Sequence, residues 1–217
     1  MAASRRNRRD PRTESTRIAL IEAAEFLFAR FGLASVSMRQ IGAAIGSGNN
    51  TVVAYHFGSK EELVTAIYLH RLPAIDARRR ELLAEADKDG PCTDLQALLR
   101  VLWLPLLEQT DDEGHHSFAR FLASMMQQGL GRTRRNVDAR FPATLLVVDR
   151  IAPHLPYSPG QDWEARWRLV TTMALEGIRN IDEALGGRGK PGDAERMFAD
   201  FVAMAAAALS AAAPKIP

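Results

Sequence analysis

The sequence predicts an all-α protein, and three observations carry that prediction. Apolar residues recur every three or four positions along most of the chain, which is the spacing of one face of a helix. The β-branched residues that favour strands are scattered among Ala, Leu, Glu and Arg, which favour helices. Helix start signals alternate with Gly and Pro stop signals, and no internal repeat is evident.

The first helix is predicted from Pro11 to about Phe31. Proline is favoured at the first helical position, and Gly32 supplies a C-terminal stop. A polar arm of residues 1–10 precedes this helix and carries Arg5, Arg6, Arg8 and Arg9. The predicted apolar face of the helix consists of Ile18, Ile21, Ala24, Leu27, Phe28 and Phe31.

Two short helices separated by a glycine turn are predicted next. Ser37 and Gln40 have the spacing of a capping box, which opens the second helix. The turn Gly46-Ser47-Gly48 ends that helix, and Asn49 is a good N-cap for a third helix through about His56. Helices of about nine and eight residues around a glycine turn have the dimensions of a helix-turn-helix. Its predicted core, packed on the first helix, is Val36, Met38, Ile41, Ile45, Val53 and Phe57.

The rest of the chain is predicted to be helices broken by loops. Phe57-Gly58 closes the third helix, and residues 59–62, with the sequence SKEE, form a second capping box that opens a helix towards Arg80. Pro105 is expected to kink or end its helix. The further helices are predicted at residues 93–108, 115–128, 137–152, 163–185 and 193–212.

Composition limits the class of protein. Hydrophobic residues make up 47% and charged residues 25%, near the averages of globular domains. The single cysteine excludes an internal disulfide, and the longest apolar run, 201–209, is shorter than the roughly 20 residues that span a bilayer. The arginine-rich start lacks the apolar stretch of a secretory signal. We therefore expect a cytoplasmic protein.

Charge is divided unevenly along the chain. Residues 1–60 hold nine Lys and Arg against four Asp and Glu, whereas the remainder is mildly acidic. This division indicates a segment that faces a polyanion, joined to a body with another task. The alternative is a solvated basic tail.

Four stretches of the first quarter share one register of helices, turns and caps. They are Ile21-Glu22-Ala23-Ala24, Leu27-Phe28 followed by Gly32, residues 37–41 (SMRQI), and Tyr55-His56-Phe57 followed by residues 59–63 (SKEEL). Through them, residues 17–63 resemble the TetR family of transcriptional regulators. The resemblance implies a basic arm at 1–10, a helix-turn-helix DNA-binding domain at 11–60, and a helical ligand-binding and dimerisation domain at 61–217. It implies a sequence-specific regulator, a repressor that binds a palindromic operator as a homodimer and is released by a ligand.

The resemblance also implies which residues contact DNA. Asn pairs with adenine through two hydrogen bonds, so the adjacent Asn49 and Asn50 are candidates to read adenine edges. Lys60 resembles the family lysine that binds a phosphate, and the arginines of the arm are candidates for the minor groove. The alternatives are a capping role alone for Gln40 and a half-buried aromatic role for Tyr55. The implied contacts are Ser37, Arg39, Gln40, Asn49, Asn50, Thr51, Tyr55, His56 and Lys60.

Two sets of residues in the body are candidates for the ligand and the dimer, with ordinary core packing as the alternative for both. The effector is expected to be a small hydrophobic molecule. The pocket candidates are Trp103, Phe118, Phe121, Met125, Met126, Trp167, Thr171 and Met173. The interface candidates are Ala174, Gly177, Ile178, Ile181, Met197, Phe201, Met204, Ala205 and Ala208.

Enzyme chemistry has little support in the sequence. Neighbouring residues of a helix point about 100° apart, so His115 and His116 are poorly placed to share a metal. Walker, GxSxG and HExxH patterns are absent from the sequence, and no cofactor is implied. The competing hypothesis is an all-helical small-molecule-binding protein or enzyme whose basic head is a protein-docking patch.

Overall fold

The computed structural model describes residues 11–111, 113–127, 140–156, 163–185 and 192–212. These ranges contain no β-strand, which confirms the all-α prediction. A 3₁₀ turn, Ala152–His154, follows the seventh of the helices that they contain. Those helices are α1 (Pro11–Phe31), α2 (Met38–Ala44), α3 (Val52–Phe57), α4 (Lys60–Ala86), α5 (Leu95–Leu107), α6 (Ser117–Gln127), α7 (Pro142–Ile151), α8 (Trp163–Leu185) and α9 (Asp193–Ser210).

Some of the predictions fall outside the described residues. These are the DNA contacts of Arg5, Arg6, Arg8 and Arg9, the start of the seventh helix at 137 and the end of the sixth at 128. The bounds of α1 and α8 agree with the predicted ones. The described helices include none long and apolar enough to cross a membrane.

The helices α1, α2 and α3 form the head of the molecule, residues 11–58. Most of the predicted core is buried there, with Met38 and Ile45 half-buried at its edge. Phe31, predicted on the apolar face of α1, is not part of this core, because its ring is 54% exposed and lies under the guanidinium of Arg30. The fully buried side chains of α1 are Leu20, Ile21, Ala24 and Phe28, and those that α2 and α3 add are Ile41 and Val53.

Helix α4 continues from the head into the body of the molecule, residues 60–212. It was predicted to end near Arg80 but continues to Ala86, because residues 81–86 (ELLAEA) are all good helix formers. At a rise of about 1.5 Å per residue, its 27 residues span roughly 40 Å. One continuous rod therefore belongs to both parts, and Leu63 and Leu83 are buried near its two ends.

The body packs its helices in pairs around α5, which is buried over most of its surface. Helix α6 lies between α1 and α8, α7 packs on α4 and α5, and α8 packs on α9. The last pair approaches closely at Gly177, where an added Cβ would lie 2.6 Å from Cδ1 of Phe201. A glycine is required there because any side chain would collide with that ring.

Candidate nucleic-acid interface

The start of α2 is held by the predicted capping box. The amide of Gln40 donates to Ser37 Oγ at 3.2 Å, and the amide of Ser37 donates to Gln40 Oε1 at 2.7 Å. The hydroxyl of Ser37 also donates to Gln40 Oε1, at 2.8 Å. The side-chain oxygen of Gln40, Oε1, is thus occupied. Its side-chain nitrogen, Nε2, and the exposed side chain of Arg39 face solvent.

The turn between α2 and α3 corrects the predicted helix start. The structure places Thr51, not Asn49, at the N-cap of α3. Asn49 Oδ1 instead accepts from the amide of Thr51 at 2.9 Å and from its hydroxyl at 2.8 Å. Asn side chains make such local bonds two residues ahead, and these compete with helix formation. Asn49 therefore lacks the free carbonyl oxygen that pairing with adenine N6 requires.

Helix α3, called the recognition helix below, has one buried and one exposed side. Val53 and Phe57 are buried in the head, which fixes the orientation of the helix. Gly58, at a φ of 75°, ends it as predicted. Tyr55 is 80% exposed, and Ala54 beside it is exposed as well. An aromatic so exposed is unusual in a single folded chain and marks a contact surface.

Two polar side chains extend this exposed side. Asn50 is exposed and makes no hydrogen bond to the described residues, so both halves of its amide are available. Thr51 is exposed next to it. The exposed side of the recognition helix thus presents an amide, a hydroxyl and a phenol, the groups that hydrogen-bond to bases and phosphates.

His56 is half-buried at the end of the recognition helix. Its ring lies edge-on to that of Tyr55, with 5.2 Å between the centroids. Burial and the positive charge of Arg17 lower the pKa of His56 below its ordinary value, although Glu14 acts in the opposite direction. His56 is therefore mainly uncharged at neutral pH. Arg17, on α1, was missed by sequence reasoning, because nothing in the linear order places it beside α3.

Lys60, the residue that the resemblance assigns to a phosphate, also has a partner within the chain. Its ammonium donates to the carbonyl oxygen of Leu33 at 2.8 Å, which ties the start of α4 to the α1–α2 connection. Lys60 is half-buried. The capping box predicted after Gly58 is half formed, because Ser59 Oγ accepts from the amide of Glu62 at 3.1 Å, whereas the reciprocal bond is not made.

Comparison with known proteins gives the family of this head. Residues 20–67 match the family model described as bacterial regulatory proteins of the tetR family. Residues 20–67 are a TetR-family DNA-binding domain. The chain is thus a DNA-binding transcriptional regulator, as the sequence predicted.

Solved structures of two regulators are also similar to this chain. One is the ketosteroid transcriptional regulator KstR2 of Mycobacterium tuberculosis, at 19% identity and a TM-score of 0.47, covering 90% of this chain and 95% of that one. The other is SmeT, the repressor of the Stenotrophomonas maltophilia multidrug efflux pump SmeDEF, at 19% identity and a TM-score of 0.43, covering 94% and 99%. No curated protein matches the chain in sequence.

Behind the TetR-family domain, the predicted pocket residues lie in the core of the body. Phe118 and Phe121 of α6 surround Tyr68 of α4, which sequence reasoning missed, with ring centroids 6.3 and 5.4 Å from that of Tyr68. The hydroxyl of Thr171 is buried and has no hydrogen-bond partner among the described residues. Trp103, Phe118, Phe121, Met125 and Thr171 are buried, whereas Met126, Trp167 and Met173 are half-buried.

Most of the predicted dimer-interface residues are buried within the single chain. They pack where α8 and α9 meet each other and the rest of the body, which favours the alternative of ordinary core packing for the buried members. Helical spacing does not tell which helix an apolar face meets. Met204 alone of the set is mostly exposed, at 50%, and Leu169 at 67% was missed. The buried members are Ala174, Ile178, Ile181, Phe201 and Ala205, while Gly177, Met197 and Ala208 are half-buried.

A buried polar cluster joins the TetR-family domain to the body. Glu25 of α1 is 1% exposed and accepts from Arg71 Nε of α4 at 2.7 Å. It also accepts from Ser117 Oγ at the start of α6, at 2.6 Å. Three helices are thus held by one carboxylate. Glu25 was missed because a single charged residue in a helix is normally a surface residue.

His116, next to this cluster, contacts two further helices. Its Nδ1 lies at hydrogen-bond distance from Asp182 of α8, and its Nε2 lies 2.9 Å from the carbonyl oxygen of Leu107. Both ring nitrogens thus face oxygen acceptors, and the imidazole lies between the end of α5 and α8. The described residues contain no group of three or more His, Cys, Asp or Glu side chains placed to bind a metal ion.

Proposed function

We propose that this chain is a repressor that binds a palindromic operator as a homodimer and is released by a small hydrophobic effector. The exposed polar side of the recognition helix, mounted on a buried core, carries the proposal. It agrees with the regulatory family that residues 20–67 match. In this proposal residues 11–60 read DNA, residues 61–217 bind the effector and the second subunit, and residues 1–10 are a basic arm.

The exposed groups have different tasks at the duplex. Phosphate contacts set affinity and position, and base contacts set sequence preference. Asn50, with its whole amide available, is assigned to a base edge in the major groove. Gln40 is assigned to the groove edge through its amide nitrogen. Ser37, Arg39, Thr51, Tyr55, His56 and Lys60 are assigned to the backbone, while Asn49 supports the turn.

A dimer is needed because one such head has few contacts. Recognition helices of paired subunits meet successive major grooves about 34 Å apart, or a multiple of that distance. Leu169 of α8 and Met204 of α9 support an interface on the outer side of these two packed helices, since large exposed apolar side chains favour association. The interface proposed here is therefore shifted from the buried α8–α9 contact to that outer side.

The effector is proposed to enter between α6 and α8, among the aromatic and Met side chains there. The buried, unpartnered hydroxyl of Thr171 favours a ligand that brings one hydrogen-bonding atom, because an unsatisfied buried hydroxyl is costly. A displacement of α6 would reach the head directly, through the bond from Ser117 to Glu25. The spacing of the two heads would then differ between the free and the bound states.

Selection of duplexes from a random library, followed by titration in a salt series, tests DNA binding. With about eight phosphate contacts per dimer, log K is expected to fall with log salt at a slope near −7. Asn50→Ala is expected to lose about 1–3 kcal/mol of binding free energy for the selected duplex and none for a duplex of arbitrary sequence. Gln96→Ala, an exposed amide on α5, is the matched control. Equal losses of Asn50→Ala on both duplexes would contradict the assignment of Asn50 to a base.

Release by an effector has a quantitative signature. A compound that weakens operator binding by some factor must itself bind less tightly, by the same factor, when the operator is present. We expect a panel of small hydrophobic compounds to yield one with this reciprocity, measured by calorimetry with and without the duplex. Thr171→Val, which replaces the hydroxyl with a methyl group, is expected to weaken binding of that compound. The effector proposal fails if every compound leaves operator affinity unchanged.

A further inference from the structure

Arg17 lies on α1 but reaches the end of the recognition helix. The central carbon of its guanidinium is 5.2 Å from the centroid of the Phe57 ring, and Phe57 is the last residue of α3. The ring holds the flat guanidinium by a cation–π contact. The side chain nevertheless remains 28% exposed. An arginine from outside the helix-turn-helix is thereby fixed at the C-terminal end of the recognition helix, close enough to His56 to add to burial in lowering its pKa.

Arg17 supplies the positive charge beside the C-terminal end of the recognition helix. His56 is the neighbouring titratable group on α3, and its lowered pKa leaves it mainly uncharged at neutral pH. Glu14, one turn earlier on α1, lies 3.7 Å from Arg17 Nη1, which is longer than a hydrogen bond. The guanidinium is therefore oriented by Phe57 and only weakly engaged by a carboxylate.

We propose that Arg17 binds a backbone phosphate of the duplex beside the C-terminal end of the recognition helix, next to Tyr55 and His56. This inference rests on the proposed function, since it takes the exposed side of α3 to face DNA. A guanidinium can give a phosphate two parallel hydrogen bonds, and the Phe57 ring fixes its plane before the phosphate arrives. His56 then offers a neutral N–H to the same stretch of backbone. The phosphate contact makes α1 part of the surface that positions the recognition helix.

A phosphate contact can be measured without knowing the operator, because non-specific binding depends almost wholly on phosphates. The probe is a fluorescently labelled duplex of arbitrary sequence, titrated with the full-length protein at several salt concentrations. Arg17→Gln is expected to reduce the slope of log K against log salt by about 1 per subunit. Arg17→Lys is expected to keep the slope, because it keeps the charge.

Arg196→Gln is the matched control. Arg196 is an exposed arginine of α9, distant in sequence from the head, and it also pairs with an acid three residues earlier, Asp193. Its removal changes the net charge equally and is expected to leave the slope unchanged. Circular dichroism and thermal melting establish that each variant is folded. Arg17→Met keeps an apolar stem against Phe57 and replaces Arg17→Gln if that variant does not fold.

Two results would overturn the inference. If Arg17→Gln or Arg17→Met weakens binding while the salt slope stays at the wild-type value, Arg17 only supports the fold of the head. An unchanged affinity and slope would mean that Arg17 takes no part at all. Failure of the wild-type protein to bind any duplex at low salt would instead refute the proposed function, and the inference with it.

Discussion

Replacing Asp76 with Ala is expected to destabilise the protein by about 3 kcal/mol, because the buried amide and hydroxyl of Thr144 would lose their acceptor. Asp76 of α4 is 3% exposed, and the guanidinium of Arg79, at 1%, is buried close by in the same region. Asp76 Oδ1 accepts from the amide of Thr144 at 2.8 Å and from its hydroxyl at 2.9 Å. Arg79 Nη1 donates to that same hydroxyl at 2.8 Å, so one relay joins both charges.

The same carboxylate also caps α7. No side chain of α7 itself caps the first turn, since Phe141 stands at the N-cap. Asp76 supplies an anion there from another helix, where unpaired amides and the helix dipole favour negative charge.

Urea unfolding measures the loss, with Asp149→Ala as the control. Asp149 is an exposed carboxylate of α7, and its removal is expected to change the free energy of unfolding by less than about 0.5 kcal/mol. A change of similar size in both variants would mean that burial of Asp76 contributes nothing.

Replacing Asp182 with Ala is expected to cost about 3–5 kcal/mol at neutral pH, for a related reason. The carboxyl side chain is 2% exposed and bonds to three groups at and just before the start of α6: the amide of His116 at 3.2 Å, the imidazole of His116, and Arg120 Nε at 2.8 Å. Without it, a buried imidazole and a guanidinium lose their acceptor. Helix α8 would then lose its polar attachment to α6.

The stabilisation by Asp182 is expected to depend on pH. Burial alone would raise the pKa of Asp182, but the hydrogen bonds and charges of His116 and Arg120 outweigh it and lower the pKa below the ordinary 3.8. A depressed pKa stabilises the folded state above the unfolded value, and this contribution disappears as pH falls through the folded pKa. The difference in free energy of unfolding between wild type and Asp182→Ala is thus expected to be largest above about pH 5 and to shrink below pH 3.8.

Parallel urea titrations from neutral to acid pH measure that gap. Asp200→Ala, on the exposed side of α9, is the control, and it is expected to stay close to wild type throughout. A gap that grows on acidification would contradict the direction given for the pKa of Asp182.

The helix bounds and the recognition turn were largely predictable because their signals are local. The capping box of Ser37 and Gln40 and the stops at Gly32 and Gly58 use bonds between residues at most four apart. The predicted start of α3 was wrong, and the reason is also local. Asn49 has two local options, an N-cap and a bond to Thr51, and the tight glycine turn selects the second.

The sequence by itself determined the all-α class, the order of the helices and the TetR-family register of the head, since periodicity and caps are properties of short segments. Only the tertiary structure decided which apolar faces meet inside one chain, and that Glu25, Asp76 and Asp182 are buried anchors. Their partners lie up to 92 residues away along the chain. A helical period shows that a face is apolar without naming the helix it packs on, and a carboxylate is buried only where distant donors converge on it.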